Sequence, residues 1–103
     1  MNVSPDYRSA GVVNIATGTD TSDNTAAVVT LGFRPRYVKV INQTDVIIWE
    51  KIDGMAAANA IKVVTAGTTT LDTGSAIVID DNGFTISAGA AGNAKALAWV
   101  AYA

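Results

Sequence analysis

Carboxylates are the residues of this chain whose types and spacing suggest chemistry most directly. Residues 80–83 read Asp-Asp-Asn-Gly, and oxygen ligands in a tight loop are what Ca²⁺ prefers. A calcium loop also needs alternating acidic residues and a distal bidentate Glu, and the segment has neither. It is therefore predicted to be a hairpin turn, in which Asn-Gly favours type I′ geometry. Asp20 and Asp23 are interpreted in the same way, as parts of a solvated loop.

Glu50 is the only Glu in the chain and the remaining candidate for carboxylate catalysis. Glycoside hydrolysis needs a second carboxylate about 5 to 10 Å away across a cleft, and Trp49 would offer a stacking platform for a sugar. The candidates for that second carboxylate are Asp45, Asp53 and Asp72. Such a cleft usually needs a larger scaffold than this one. The favoured interpretation places Trp49 in the core or an interface and pairs Glu50 across the strands with Lys39 or Lys62.

The composition excludes most other enzyme mechanisms. The 103 residues include no Cys and no His, so Cys and Ser-His nucleophiles, His bases and zinc sites built on either residue are all excluded. No cofactor and no metal are expected. The chain is predicted not to be an enzyme.

The low charge content is the second notable feature of the composition. Charged residues make up 16% of the chain and hydrophobic residues 50%, whereas about 25% charged residues is usual. A small domain has much surface for its volume, so part of the exterior is expected to be covered by another protein. No run reaches the roughly 18 to 20 apolar residues of a spanning helix, so no membrane partner is expected. A net charge of −2 with scattered cations predicts no nucleic-acid partner.

The periodic segments are rich in Val, Ile and Thr, and turn residues recur at the spacing of about 8 to 12 residues that is typical of an all-β sandwich or barrel. The sequence predicts a single small antiparallel β-sandwich or jelly-roll-like barrel of about eight short strands. An N-terminal arm is predicted at residues 1–10, and the β-sandwich domain at residues 11–103.

The strands of this domain can be assigned from the pattern. They are predicted at residues 11–17, 25–31, 36–42, 46–52, 61–65, 76–79, 84–87 and 94–102. Residues 18–24 are predicted as a polar loop and residues 67–70 as a turn, and the Ala-rich residues 55–60 as a loop with room for one helical turn. Strands 36–42 and 46–52 are apolar on both faces near their middles, a pattern typical of strands covered by a second sheet or a neighbouring subunit.

The aromatic residues and one pair of arginines are candidates for contacts with a partner. In the last predicted strand Leu97, Trp99 and Ala101 share one face, and Tyr102 lies on the other face. Arg34 and Arg36 flank Pro35 at a strand entrance, and Arg is enriched in protein interfaces.

Two stretches of this sequence resemble small structural proteins of tailed bacteriophages, over about residues 30–103. The first stretch reads Gly32-Phe33-Arg34-Pro35-Arg36-Tyr37-Val38-Lys39-Val40-Ile41-Asn42, continues with Val46-Ile47-Ile48-Trp49-Glu50-Lys51 and ends at Asp53-Gly54-Met55. The second comprises Gly83-Phe84-Thr85-Ile86, an Ala-Gly-Asn loop at residues 89–93, and Trp99-Val100-Ala101-Tyr102. The resemblance implies a β-sandwich or jelly-roll module, often trimeric, of the kind that decorates the outside of an icosahedral head as a cement protein, spike or fibre.

A specific set of expectations follows from the resemblance and the composition. The chain is expected to be a capsid decoration protein on the outer surface of the virion, assembled in the host cytoplasm. Its expected partners are the major capsid protein and further copies of itself, as a homotrimer. The expected capsid contacts are Met1, Asn2, Val3, Ser4, Pro5, Asp6, Tyr7 and Arg8. The expected subunit or partner interface comprises Arg34, Arg36, Tyr37, Trp49, Trp99 and Tyr102.

A second class of function remains open at this stage. Related modules occur on phage tail fibres, so the chain could instead be a receptor-binding or glycan-binding module of a tail or head fibre. In that case Trp49 or Tyr37 would be exposed as a stacking platform. Burial of both rings would argue strongly against it.

Overall fold

A computed structural model describes the backbone of residues 2–3 and the whole of residues 14–103. The N-terminal arm predicted at residues 1–10 therefore lies outside the described residues, apart from the backbone of Asn2 and Val3. That backbone pairs antiparallel with the first long strand, with Asn2 opposite Ala16 and Val3 opposite Ile15.

The described residues form ten strands and one short helix. The elements are β1 (Asn2–Val3), β2 (Ile15–Asp23), β3 (Ala27–Thr30), β4 (Tyr37–Asn42), β5 (Ile47–Ile52), β6 (Ala60–Val63), β7 (Thr69–Asp72), β8 (Ile77–Asp80), β9 (Gly83–Ile86), α1 (Ala88–Ala91) and β10 (Asn93–Tyr102). They form a seven-stranded sheet in the order β1-β2-β10-β4-β5-β6-β7 and a three-stranded sheet in the order β3-β9-β8. All the paired strands are antiparallel, so the predicted small all-β, sandwich-like fold is confirmed.

The core lies between the small sheet and one face of the large sheet. Strand β4 alternates so that Val38 and Val40 have no exposed surface, and Phe84 and Ile86 of β9 are equally buried on the other side. Leu97 and Ala101 of β10 complete this layer. Removal of these side chains from water is the main favourable term for the fold.

Residues 18–24, predicted to be a polar loop, instead continue strand β2 as far as Asp23. The prediction was wrong because β2 pairs with β10 along its length, from Ile15 opposite Tyr102 to Asp23 opposite Asn93. The ladder satisfies the backbone there although the side chains are polar. The predicted turn at residues 67–70 is similarly incomplete, because Thr69 already begins strand β7, which pairs with β6.

The turn at residues 80–83 has the predicted position but not the predicted geometry. Asp80 pairs with Gly83, so the connection has two residues. Type I′ geometry needs a positive φ at both of them, and neither Asp81 nor Asn82 is among the described residues with positive φ. The carbonyl of Asn82 instead accepts hydrogen bonds from the amides of Leu31 and Gly32, at 2.7 and 3.0 Å, which holds the turn against the end of β3.

The short helix forms at Ala88–Ala91, not at residues 55–60. Ser87 caps it by accepting a hydrogen bond from the Ala90 amide at 3.2 Å, and Gly92 ends it with a φ of 72°. Residues 55–60 are organised from outside by Lys51, which is 3% exposed. Its Nζ donates to the carbonyls of residues 56, 57 and 59, at 3.1, 2.8 and 2.9 Å. Those carbonyls accept hydrogen bonds from an ammonium group and not from the backbone amides of a helix.

The ammonium group of Lys51 stays charged although it is enclosed. Burial lowers the pKa of Lys51, and the Asp53 carboxylate opposes this effect. Three carbonyl acceptors require three N–H donors, which only the protonated amine has. Lys51 therefore acts as a structural clamp on the loop after β5.

Gly83 provides a test of how closely β9 and β3 pack. A Cβ at Gly83 would collide with the carbonyl oxygen of Val29, which is backbone and cannot move aside. Gly83→Ala should therefore lower the free energy of unfolding by about 1 to 3 kcal/mol, the usual cost of overpacking. Chemical denaturation measures this change.

Gly89→Ala is the matched control for that substitution. A Cβ at Gly89 meets nothing within 4 Å, and the residue lies in α1. Ala should therefore leave stability unchanged or raise it by up to about 1 kcal/mol. Equal stability of the two variants would contradict the packing described for Gly83.

Candidate functional site

The face of the large sheet that points away from the small sheet, here called the outer face, is the main candidate for a functional surface. Six strands, β2, β10, β4, β5, β6 and β7, carry it. Because side chains alternate along a strand, the residues buried on the inner face determine which residues point outward. Burial of Val38 and Val40 thus places Tyr37, Lys39 and Ile41 on the outer face.

The strand register arranges the outer face in three rows. The first row is Ile15, Tyr102, Tyr37 and Ile52. The second row is Thr17, Val100, Lys39, Glu50, Ile61 and Leu71. The third row is Thr19, Ala98, Ile41, Ile48, Val63 and Thr69.

Most of these outward side chains are apolar, and no second layer formed by the described residues covers them. Ile52 is 60% exposed and Leu71 is 54% exposed, and Ile61 and Tyr102 are also among the exposed large hydrophobic residues. Contiguous apolar surface of this kind marks interaction sites in soluble proteins. The outer face therefore has the character of a surface that meets another macromolecule.

Lys39 and Glu50 are the charged residues among these paired outward positions, and they lie side by side. Lys39 of β4 is directly opposite Glu50 of β5, as predicted for one of the two candidate neighbours, but the ion pairs of the described residues do not include these two side chains. The other candidate, Lys62, lies on the inner face, with its Nζ 5.6 Å from the centre of the Trp49 ring. The outer face thus carries one neutral pair of charges at its middle.

Tyr37 and Tyr102 form an aromatic pair at one end of the outer face. Their ring centres are 4.9 Å apart with an interplanar angle of 32°. The Tyr37 hydroxyl donates to Glu50 Oε2 at 2.8 Å. Burial, together with this hydrogen bond, raises the pKa of Tyr37 to about 12. Tyr37 is therefore a fixed part of the surface and not a free ring.

Arg34 links the two sheets from outside the core. Its Nε and Nη2 donate to the Asp53 carboxylate, at 2.9 and 3.0 Å, and its Nη1 donates to Asp81 at 3.0 Å. Hydrogen bonds to these carboxylates raise the pKa of Arg34 and lower that of Asp53. Arg34 is exposed, but its guanidinium is already engaged within the chain. Arg36 is also exposed, with its amide bonded to the Tyr102 carbonyl at 2.8 Å.

The structure corrects the prediction for Trp49 at an interface or as a stacking platform. Trp49 is 3% exposed, and its indole N–H donates to Asp72 Oδ2 at 3.1 Å. The ring is a core residue because β5 points it towards the small sheet. Trp99 also faces inward, with its ring edge-on to Phe84 at 5.2 Å between centroids. A Cβ at Gly18 would touch the Trp99 ring at 2.5 Å, so the ring lies directly over β2.

None of the three candidate carboxylates, all within the described residues, is brought to face Glu50. Asp45 pairs with Lys95, Asp53 pairs with Arg34, and Asp72 accepts from Trp49. Within residues 14–103, no three side chains of the metal-binding types come together. In the same part of the chain, no helix has the length and apolar character required to cross a bilayer.

The predicted capsid contacts at residues 1–8 lie outside the described residues, except for the paired backbone of Asn2 and Val3. Sequence reasoning identified the apolar strands of the outer face but not the Lys51 clamp or the Trp49–Asp72 hydrogen bond. Both join residues that are distant in the chain or unremarkable in type. The burial of Trp49 beside the outward-pointing, half-buried Ile48 could have been found from strand alternation alone.

Comparison with protein-family models, with curated proteins and with solved structures gives no match for this chain.

The burial of Tyr37, together with its hydrogen bond to Glu50, predicts a specific pH dependence of stability. The ordinary pKa of tyrosine is about 10, so folding raises it, and the folded chain holds the phenolic proton more tightly than the unfolded chain. The resulting stability is complete below pH 10 and is lost as the pH rises from about 10 to about 12. Denaturation at a series of pH values should show this loss in the wild type and a smaller loss in Tyr37→Phe.

Tyr102→Phe is the control for that measurement. It removes a hydroxyl from the same aromatic pair but leaves the hydrogen bond between Tyr37 and Glu50. Tyr102→Phe should therefore lose stability between about pH 10 and about pH 12 as steeply as the wild type does. Parallel curves for the wild type and Tyr37→Phe up to pH 12 would contradict the proposed origin of the effect.

Proposed function

We propose that this chain is a virion structural protein of a tailed bacteriophage, and that it acts as a capsid decoration protein. In this role it binds the outer surface of the head as an oligomer and stabilises it. The observation that carries the proposal is the uncovered apolar outer face of the large sheet. A protein with that surface and little charge is expected to function while bound to other proteins.

The placement of the reactive groups also supports a structural role. The carboxylate of Asp72 holds Trp49, that of Asp53 holds Arg34, and Lys51 clamps a loop. Every buried side-chain nitrogen or oxygen atom in the described residues has a hydrogen-bond partner. These groups maintain the fold through their hydrogen bonds and ion pairs.

A mechanical mechanism follows from this arrangement. A decoration protein bridges neighbouring capsid subunits, so its binding free energy must be overcome before those subunits can separate. Linked contacts from one oligomer bind with an avidity that a single contact lacks. We assign the capsid contact to the arm, residues 1–8, and protein–protein burial to the outer face.

The decisive experiment mixes the purified chain with expanded phage heads assembled without it. The chain should sediment with the heads and raise the temperature at which they come apart. Tyr7→Ala combined with Arg8→Ala should weaken this binding. Heads that neither retain the chain nor gain stability would contradict the proposal.

A second assay separates this function from that of a receptor-binding module. Binding to host cells or to an array of glycans, with no binding to heads, would indicate a fibre module. The burial of Trp49 and the hydrogen bond of Tyr37 to Glu50 both weigh against a sugar-stacking platform. We therefore expect no glycan binding in the concentration range in which the chain binds heads.

A further inference from the structure

The outer face is nearly symmetric about its own midline, and this symmetry indicates what covers it. Apart from the two-residue edge strand β1, three strands, β2, β10 and β4, lie on one side of the midline, and β5, β6 and β7 lie on the other. The midline runs between β4 and β5, and Lys39 and Glu50 lie directly on either side of it in the middle row. The only two charged residues of the three rows, Lys39 and Glu50, therefore occupy equivalent positions on the two sides of the midline.

We propose that the outer face binds the outer face of a second copy of this chain, through a two-fold axis parallel to the strands and midway between β4 and β5. This axis places β4 over β5, β10 over β6, and β2 over β7 of the second copy. Lys39 of each copy then faces Glu50 of the other. A two-fold interface must be complementary to itself in this way.

The apolar residues match under the same operation. Ile41 faces Ile48 of the second copy, Val100 faces Ile61, and Ala98 faces Val63. Tyr37 faces Ile52, the most exposed large residue of the face. Two sheets packed with nearly aligned strands form the ordinary core of a β-sandwich. The dimer therefore completes a second hydrophobic layer on the side of the large sheet that the small sheet leaves open.

The charges select this register over its neighbours. An axis running along β4 would bring Lys39 against Lys39, and an axis along β5 would bring Glu50 against Glu50. An axis between β5 and β6 would press Glu50 against Ile61 and give it no opposite charge in the second copy. Because unpaired or like charges are costly in an interface, only the central axis satisfies both residues.

The size of the face is sufficient for a stable pair. Strands about 4.8 Å apart and rows about 7 Å apart, with four positions in the first row and six in each of the others, give a face of roughly 540 Å², so the pair buries on the order of 1,100 Å² in total. Stable protein interfaces begin at about that area. The Ile and Tyr side chains protrude from the face and increase the buried area further.

The first test is the mass of the purified full chain in solution. Light scattering or native mass spectrometry should give twice the 10.6 kDa of one chain. A monomer at high micromolar concentration, or a trimer, would overturn the two-fold arrangement.

The second test reverses the two charges separately. Lys39→Glu and Glu50→Lys each gather four like charges at the centre of the homodimer, so each should raise the dissociation constant by about a hundredfold or more. Mixing the two variants should restore a dimer that contains one chain of each. This exchange is specific to the proposed axis, because a variant that had merely lost its fold would not be rescued by the other.

Val28→Lys provides the control on the opposite surface. Val28 is 70% exposed on the small sheet, away from the outer face, so this variant should remain dimeric. Dissociation by Val28→Lys, or mixed charge variants that stay monomeric, would overturn the inference.

The inference rests on the proposed function only in requiring that the outer face be buried by protein, and the two can fail separately. A dimer that does not bind heads would leave the interface standing and remove the decoration role. Head binding by a chain that is monomeric in solution would leave the decoration role standing and remove the two-fold interface.

Discussion

The packing of β9 against the inner face of β4 and β10 is the interaction on which the rest of the structure depends. Phe84 and Ile86 meet Val38, Val40 and Leu97 there, all almost without exposed surface. Because strand side chains alternate strictly, fixing these residues inward also fixes which residues point outward. The three-stranded sheet can cover only one face of the larger sheet. The core and the uncovered outer face are therefore two consequences of one register.

The sequence predicted the parts of this fold that depend on local alternation. The β4–β5 hairpin, the two faces of β10 and the pairing of Lys39 with Glu50 all follow from residues that lie close together in the chain. The polar end of β2 could not be predicted in this way, because its backbone hydrogen bonds are made with β10, at the other end of the chain. The loop predicted at residues 55–60 is present, but the Lys51 clamp that holds its carbonyls was not predicted, and neither was the helix at Ala88–Ala91.

The candidate site could be predicted only in part. Tyr37 and Tyr102 lie on the outer face as a pair of contacting rings, but Trp49 does not belong with them. Its ring was expected in the core or at an interface, and the Asp72 carboxylate that fixes its indole is 23 positions away in the sequence. Arg34 shows the same limitation. Its type and exposure suggested a partner, whereas Asp53 and Asp81 already hold its guanidinium.

The scarcity of charge acquires a specific meaning in this structure. A purely apolar face would bind many surfaces in many registers, since burial of apolar area is not directional. A single Lys–Glu pair at the midline adds direction, because every register except one leaves a charge unpaired or opposite its own sign. The net charge of the face stays at zero, so the pair does not repel a second copy as a larger cluster of one sign would. In the proposed dimer, the apolar area supplies the affinity, and the few charges at its centre supply the selectivity.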